Sequence, residues 1–401
     1  MVRSVKKENL TGKNPGILQQ PPDLIYAVLV VILSAFGTVM LFSAGAGLSD
    51  PFEDLRQHAI HLLLALVLCI FFLLVTTPKS AHWIGPAFYG ASVLLLGLVL
   101  IVGKATHSAQ RWLPILGLTF QPSELAKTAV ILLLAMYFSV NPERFRVLPP
   151  PDGEKKKWFR TLFSKRGWKS FLRSFWNGVM IPGAIVLVPA LLIGLEPHFF
   201  GVIILGGMAI VMMLLGGTNL LQLLAVGIPA AGGLWHILRA IPYTNTRLEG
   251  LLNRGGNGAA DEQTTNGLIA MGSGGWFGVG LGNSGMKYGY VPEPQNDFIF
   301  SIICEELGFF GAMLIILLFL ALFARGIRLA QKCEDRFSAL VIAGISFKII
   351  LHAFLNIGVA TAFLPNTGIS LPFFSSGGSA MLVLGTDMGI VLGLSRFCKY
   401  D

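Results

Sequence analysis

The chain has 401 residues, of which 54% are hydrophobic and only 13% are charged. Soluble domains carry about a quarter charged residues, so this balance excludes a soluble globular protein and, with repeated apolar runs of about twenty residues, predicts an all-α polytopic membrane protein. The net charge of +9 reflects topology and an anionic inner leaflet rather than nucleic-acid binding, because no basic module with stacking aromatics accompanies it.

In chain order, residues 1–23 form a basic tail with Arg3, Lys6, Lys7 and Lys13. The apolar run that follows is longer than the core of a cleaved signal peptide, and it reads as a retained first span. Ten spans are predicted within 24–395: 24–46, 59–77, 84–103, 123–140, 178–195, 199–216, 219–238, 299–323, 337–363 and 379–395. Each is long enough to cross about 30 Å of hydrocarbon at about 1.5 Å per residue. With the N-terminus inside, 21 Lys and Arg residues fall on the cytoplasmic side and 7 on the other. That asymmetry puts both termini, including the tail 396–401, in the cytoplasm.

Two hydrophilic segments interrupt the spans. Residues 141–177 open with Pro149-Pro150-Pro151 and continue into a stretch where Lys and Arg alternate with Trp158, Phe159, Phe163, Trp168, Phe171, Phe175 and Trp176. This pattern predicts an amphipathic helix on the inner membrane surface, with docking of a cytoplasmic partner as the other reading. Residues 239–298 make a long outer loop, rich in Gly and Asn yet carrying the apolar patches LIAM and GWFGVGL. It is expected to fold back onto the membrane with short re-entrant or interfacial pieces. Gly280 to Gly285 match GxGxxG literally, but a dinucleotide site needs a βαβ context that is missing here. The four cysteines, Cys69, Cys304, Cys333 and Cys398, show no ligand-like spacing, and neither a disulfide framework nor a zinc site is expected from them.

Ionisable residues inside a bilayer are costly and mark function or structural pairing. Arg111 and Trp112 precede the fourth span, and Glu124 and Lys127 lie in its first turns, three residues apart and able to pair on one face. Glu196 and His198 occupy the tight connection between the fifth and sixth spans. Glu305 and Glu306 are candidate partners for Lys348, while Asp387 in the last span is expected to make a helix–helix hydrogen bond. Asn366, Ser375, Ser376 and Ser379 flank that last span. Asp297 is different. It opens the eighth span after Glu293 in PEPQNDFIF, near Lys287 and Arg247, where a carboxylate among basic residues at a water–lipid boundary has the makings of a general base.

The segments QPSELAK (121–127), GSGGWFGVGLGNS (272–284), PEPQNDFIF (292–300), EELGFFGA (305–312) and NTGISLPFFSSGGS (366–379) resemble the SEDS family, which comprises FtsW, RodA and SpoVE. The resemblance extends over all ten spans, with PEPQNDFIF and the Glu-Glu-Leu-Gly run closer to the FtsW/SpoVE branch. It implies a bacterial inner-membrane glycosyltransferase that polymerises lipid II into glycan strands beside a class B penicillin-binding protein and other division or elongation proteins. Asp297 falls on the family's essential aspartate, and Arg111-Trp112 on its Arg-Trp pair. The expected roles are Asp297 as base, with Arg111, Trp112, Lys127, Arg247, Lys287, Glu293, Ser375 and Ser379 around the substrate, Glu293 serving as a local organiser. Glu124, Glu305, Glu306 and Lys348 form a structural polar network.

No cofactor is required by these residues. A divalent cation, Mg²⁺ or Mn²⁺, is a candidate to share the diphosphate charge. Three departures stand out: Ser376 where the family usually has Tyr, His198 where it usually has Asp, and an atypical 254–264 segment. The competing reading is a lipid II flippase or transporter, which would place its polar groups near the midplane.

Overall fold

The computed structural model describes residues 20–46, 51–106, 109–115, 118–140, 165–241, 245, 259–291, 294–365 and 368–398. Ten helical stretches in it are long and apolar enough to span a membrane. They are built from α1 (Leu24–Gly45), α2 (Pro51–Val75), α3 (Ala81–Val102), α4 (Pro122–Val140), α5 with α6 (Lys165–Phe175 and Ile181–Leu195), α7 (Phe199–Gly216), α8 (Leu220–Ala240), α10 (Ile299–Lys332), α11 (Arg336–Ala360) and α12 (Gly378–Ser395). A further helix, α9 (Ala259–Ser273), lies in the long loop before α10.

The helices are unequal. Of the apolar window in α12, 78% is buried, against 11% in α2 and in α8. Helices α4, α11 and α12 therefore form the interior, and the others present apolar faces outward, as a lipid-facing surface must. The ends are held by side-chain caps. Asp23 Oδ1 accepts from Tyr26 N at 2.7 Å to start α1 and also receives Arg325 Nε at 3.0 Å from α10. Asp335 caps α11 through Ser338 N at 2.9 Å, each cap supplying an acceptor to a first-turn N–H that has no partner within its helix.

The structure departs from the sequence expectation in four places. The connection before α4, given no secondary structure from the sequence, carries a three-stranded antiparallel sheet of β1 (Lys104–Thr106), β2 (Ala109–Ile115) and β3 (Leu118–Phe120). Its central strand carries Arg111 and Trp112. The basic helix α5, read from the sequence as an amphipathic surface helix, is continuous with α6 through a π turn, Trp176–Met180, a continuity that the predicted span start at residue 178 did not include; most of segment 141–177 lies outside the described residues. Cys333 and Cys398, expected to be free, are joined by a disulfide. The ends of α10 and α12 meet there in an isolated antiparallel bridge, a proximity that 65 residues of sequence separation conceal.

The fourth departure is in α10. The helix is broken at Gly308, whose φ of 67° and ψ of −168° are not helical. The break strands backbone groups that lipid cannot satisfy. The loop after α9 folds back and completes them: Val279 N and Gly280 N donate to Glu305 O and Glu306 O at 2.9 and 3.1 Å. In return Phe309 N and Phe310 N donate to Gly275 O and Trp276 O at 2.9 and 3.2 Å. Gly278, at φ 80°, sits against this join, and a Cβ there would collide with Glu306 O. The glycines of GSGGWFGVGLGNS thus serve a re-entrant join, in keeping with the interfacial pieces expected of this loop.

Candidate active site

Glu305 and Glu306 sit one turn before the break and organise the returning loop. Glu305 accepts Ser284 Oγ and the N–H groups of Gly285 and Met286, the last two at 3.0 and 3.4 Å. Glu306 accepts Ser43 Oγ from α1 at 2.7 Å and Lys287 Nζ at 3.0 Å. The expected pairing of these glutamates with Lys348 is therefore corrected, because the loop reaches them first. Lys287, expected to face a leaving diphosphate, is also reassigned. Its side chain is fully buried, with Nζ held by Glu306 and by Gly282 O at 2.7 Å.

From this anchor the chain proceeds to Asp297, which is half-buried just before α10. Its surroundings come from the segment leading into α12. Asn356 Nδ2 of α11 donates to Asp297 O at 3.0 Å and to Ile369 O at 2.7 Å, and so clamps the two segments together. Gly368 lies beside the carboxylate, 3.6 Å separating Asp297 Oδ2 from where a Cβ would stand. Ser375 Oγ donates to Asn296 O at 2.7 Å and accepts from Leu371 N at 2.8 Å. Ser376 donates to Asn296 Oδ1 through its hydroxyl and to Gln295 O through its N–H at 3.1 Å. A serine at 376 therefore keeps a local role without an aromatic ring.

The other side of the same segment faces a pocket lined by Glu124, Lys348, His352, Ser370, Ser375 and Gly377, among others. Here α4, α11 and α12 exchange their buried polar groups. Lys127 Nζ pairs with Glu124 Oε1 at 2.6 Å, as the three-residue spacing predicts, and reaches His352 Nε2 at 2.9 Å. His352 Nδ1 lies 2.8 Å from Lys348 O. Donation from Nδ1 to that carbonyl leaves Nε2 as the acceptor for the ammonium. Lys348 Nζ donates to Asp387 Oδ2 at 2.7 Å and to Thr128 Oγ1 at 2.8 Å, and Thr128 Oγ1 donates to Asp387 Oδ1 at 2.8 Å. Asp387 thus makes the expected interhelical hydrogen bond, and with Lys348 it makes an ion pair besides.

Arg111, half-buried on β2, directs its guanidinium to the tight turn between α6 and α7, donating to Glu196 O at 3.3 Å and to Pro197 O. In that turn the Glu196 carboxyl is buried, and neither oxygen has a hydrogen-bond partner. Burial pushes its pKa up to about 8, against a smaller lowering by Arg111. Burial, helped by the charges of Arg111 and Lys127, pulls the His198 imidazole down to about 3. Both groups are neutral near pH 7.

Ser379, expected at the substrate, donates to Thr119 O at 2.8 Å and accepts from Gln121 N at 2.9 Å, tying β3 and α4 to the start of α12. Ser375 and Ser379 are thus both occupied in positioning loops. Trp112 is half-buried on β2. Arg247, Glu293, Asn366 and segment 254–258 lie outside the described residues. Sequence reasoning missed Asn356, Thr128 and Ser43, ordinary polar residues within apolar runs whose partners come from distant helices. Among the described residues no group of three or more His, Cys, Asp or Glu gathers to hold a metal ion.

A cell cycle protein family model spanning FtsW, RodA and SpoVE matches residues 23–400. The chain belongs to the FtsW/RodA/SpoVE family. Among its relatives, the stage V sporulation protein E of Bacillus subtilis is 33% identical, covering 94% of this chain and 98% of that protein. The probable peptidoglycan glycosyltransferase FtsW of the same organism is also 33% identical, over 94% and 91%. A solved chain from a study of polymerisation and crosslinking by a peptidoglycan synthase complex superposes with a TM-score of 0.75 at 27% identity, covering 95% of this chain and 99% of that one. The crystal structure of RodA from Thermus thermophilus gives 0.66 at 26% identity, over 95% and 98%. The FtsW/RodA/SpoVE architecture therefore extends along nearly the whole chain.

Proposed function

We propose that this chain is a peptidoglycan glycosyltransferase that extends glycan strands from lipid II at the outer face of the bacterial inner membrane, with Asp297 as general base. Relatives named as peptidoglycan glycosyltransferases support the activity. The observation that carries the site is the 368–377 segment. It braces Asp297 on one side and lines the Glu124, Lys348 and His352 pocket on the other.

In this reading Asp297 takes the proton from the acceptor sugar hydroxyl as that oxygen attacks the donor's anomeric carbon. The bond from that carbon to the lipid diphosphate breaks, and configuration inverts. A positioned base contributes about 10²–10⁴-fold. Arg111 supports the departing diphosphate, and Trp112 and the outer loop segments around Arg247 and Glu293 complete the substrate surface. Lys127 acts at the pocket floor through Glu124. Mg²⁺ or Mn²⁺, if recruited, would share the diphosphate charge. Both termini lie in the cytoplasm, and a class B penicillin-binding protein crosslinks the product, in keeping with the synthase complex of the structural relative. The resemblance favours a division or sporulation role. Transport of lipid II is the lesser reading, since the deep ionisable groups are paired off within the protein.

The test is polymerisation of labelled lipid II by the purified protein with its penicillin-binding protein, comparing wild type with Asp297→Asn. A loss of about a hundredfold or more in a folded, partner-bound variant is expected. Equal polymer from both would remove Asp297 as the base. No polymer from either, with lipid II still crossing liposomes, would return the transport reading.

A further inference from the structure

The Cys333–Cys398 disulfide lies far from the proposed chemistry. Cys333 follows the last residue of α10, a helix of 34 residues with Asp297 just before its start. At about 1.5 Å per residue the unbroken stretch from the break at Gly308 to Lys332 alone spans roughly 36 Å, so the disulfide belongs to the opposite membrane face, which the basic-residue asymmetry assigns to the cytoplasm. Disulfides are uncommon in that compartment, and those that form are mostly transient and redox-sensing.

The local structure suits such a role. Cys333 is half-exposed and Cys398 is buried. Lys332 and Glu334 flank the first cysteine, with Asp335 and Arg336 beyond, and Arg396 and Lys399 bracket the second; the positive charge beside Cys398 favours its thiolate, while the charge around Cys333 is balanced. Four chain segments meet around the pair. Gln20 N donates to Arg396 O at 3.1 Å, Asp23 N to Ser395 Oγ at 3.1 Å, and Arg396 Nη1 to Leu73 O at 3.2 Å, while Arg325 pairs with Asp23. The bond thus joins the inner ends of α10 and α12. The outer ends of the same helices are flanked by Asp297 and by the Ser375 to Ser379 segment.

We propose that Cys333 and Cys398 form a redox-reversible clasp at the cytoplasmic ends of α10 and α12, closed by thiol–disulfide exchange with a low-molecular-weight disulfide. The Cys333 thiolate attacks that disulfide, forming a mixed disulfide and releasing one thiolate. Cys398, having given up its proton, then attacks the Cys333 sulfur, releasing the second. Two protein thiols lose two electrons and two protons, and one small disulfide becomes two thiols. Reduction by excess small thiol reverses the sequence. Closed, the clasp restrains α10 against α12 and slows turnover at their outer ends; open, it permits the relative movement that donor entry and strand release require. The effect on turnover rests on the glycan-polymerase reading, whereas the clasp itself does not.

The experiment uses the full chain in phosphatidylethanolamine–phosphatidylglycerol nanodiscs, equilibrated in buffers of graded reduced-to-oxidised glutathione. Samples are acid-quenched, denatured in detergent and labelled with a maleimide. The clasp predicts two labels, at Cys69 and Cys304, in oxidising buffer and four in reducing buffer, interconverting while the protein stays folded. Four labels at every ratio, or two even under excess reductant, would overturn it. The oxidised wild type should also melt several degrees above the reduced form, a difference that Cys333→Ser removes. Polymerisation should be severalfold slower in the oxidised wild type and insensitive to glutathione ratio in Cys333→Ser. Equal rates in both redox states would refute control of turnover. Absence of polymer in both states would count against the polymerase reading, with labelling and melting still deciding the clasp.

Discussion

Two of the buried lysine–carboxylate pairs in this protein hold their surroundings differently. At Lys287–Glu306 both side chains are 0% exposed, and the partners fasten a loop to a broken helix and to α1. At Lys127–Glu124 the carboxylate is 13% exposed and lines a pocket, and the ammonium is shared with His352. The first ion pair is closed on itself, whereas the second is open on one side. A buried charge is tolerated wherever its partners are complete; it is free to serve a ligand only where one side of the pair meets a cavity.

The largest expected break in this comparison is Lys287→Met, which leaves Glu306 buried without its cation. Removing one partner of a buried pair costs about 3–5 kcal/mol, and the folded, monodisperse yield on size exclusion should collapse. Lys127→Met should instead leave yield near wild type while polymerisation falls, because Glu124 retains access to the pocket. Similar behaviour of the two variants would erase the distinction.

A second, smaller contrast uses two glycines of the same loop. Gly278 and Gly282 both have positive φ, at 80° and 82°. A Cβ at Gly278 meets Glu306 O, whereas at Gly282 nothing lies within 4 Å. Gly282→Ala should cost only the dihedral penalty, roughly 1–2 kcal/mol. Gly278→Ala should lower the melting temperature markedly further, and equal shifts would show that the join with α10 does not constrain the loop.

The smallest expected effect is a change of slope. The folded protein keeps a proton on Glu196 up to about pH 8, whereas an unfolded glutamate releases it near 4.5. Stability contributed at this position therefore falls as pH rises through that window. His198 acts in the opposite sense. Its ring stays neutral down to about pH 3, while the unfolded chain takes the proton near 6.5, so stability falls as pH drops. Glu196→Gln should remove the decline in melting temperature between about pH 4.5 and 8 and raise it at pH 8, leaving the loss on acidification from His198 in place. An unchanged decline between these values would place the titrating group elsewhere.

The spans were legible because apolar length is a property of a single segment. Eight of the ten candidate spans match the predicted ranges closely at both ends; the fifth is lengthened at its start by the basic turns of α5, and the eighth continues past residue 323 to Lys332. The spacing of Glu124 and Lys127 was legible for the same local reason. The pairings of Glu306, Lys348 and Cys333 were not, because each depends on which distant segment arrives beside it. Asp387 shows the boundary well. A carboxylate inside a span announces a partner, but only three-dimensional packing names Lys348 and Thr128. The small sheet carrying Arg111 was hidden in a short stretch where strand alternation is too brief to separate from a connector.

The join between the loop and α10 has a consequence for biogenesis. Residues 274–286 precede Glu305 and Glu306 in the chain, so the loop leaves the ribosome before its hydrogen-bonding partners do. The eighth span must then enter the bilayer with a break in its ladder of backbone hydrogen bonds, a break that the preceding loop mends. Insertion and folding at this point are one event: a loop substitution that weakens the join would be felt as faulty insertion of a helix whose own sequence is untouched.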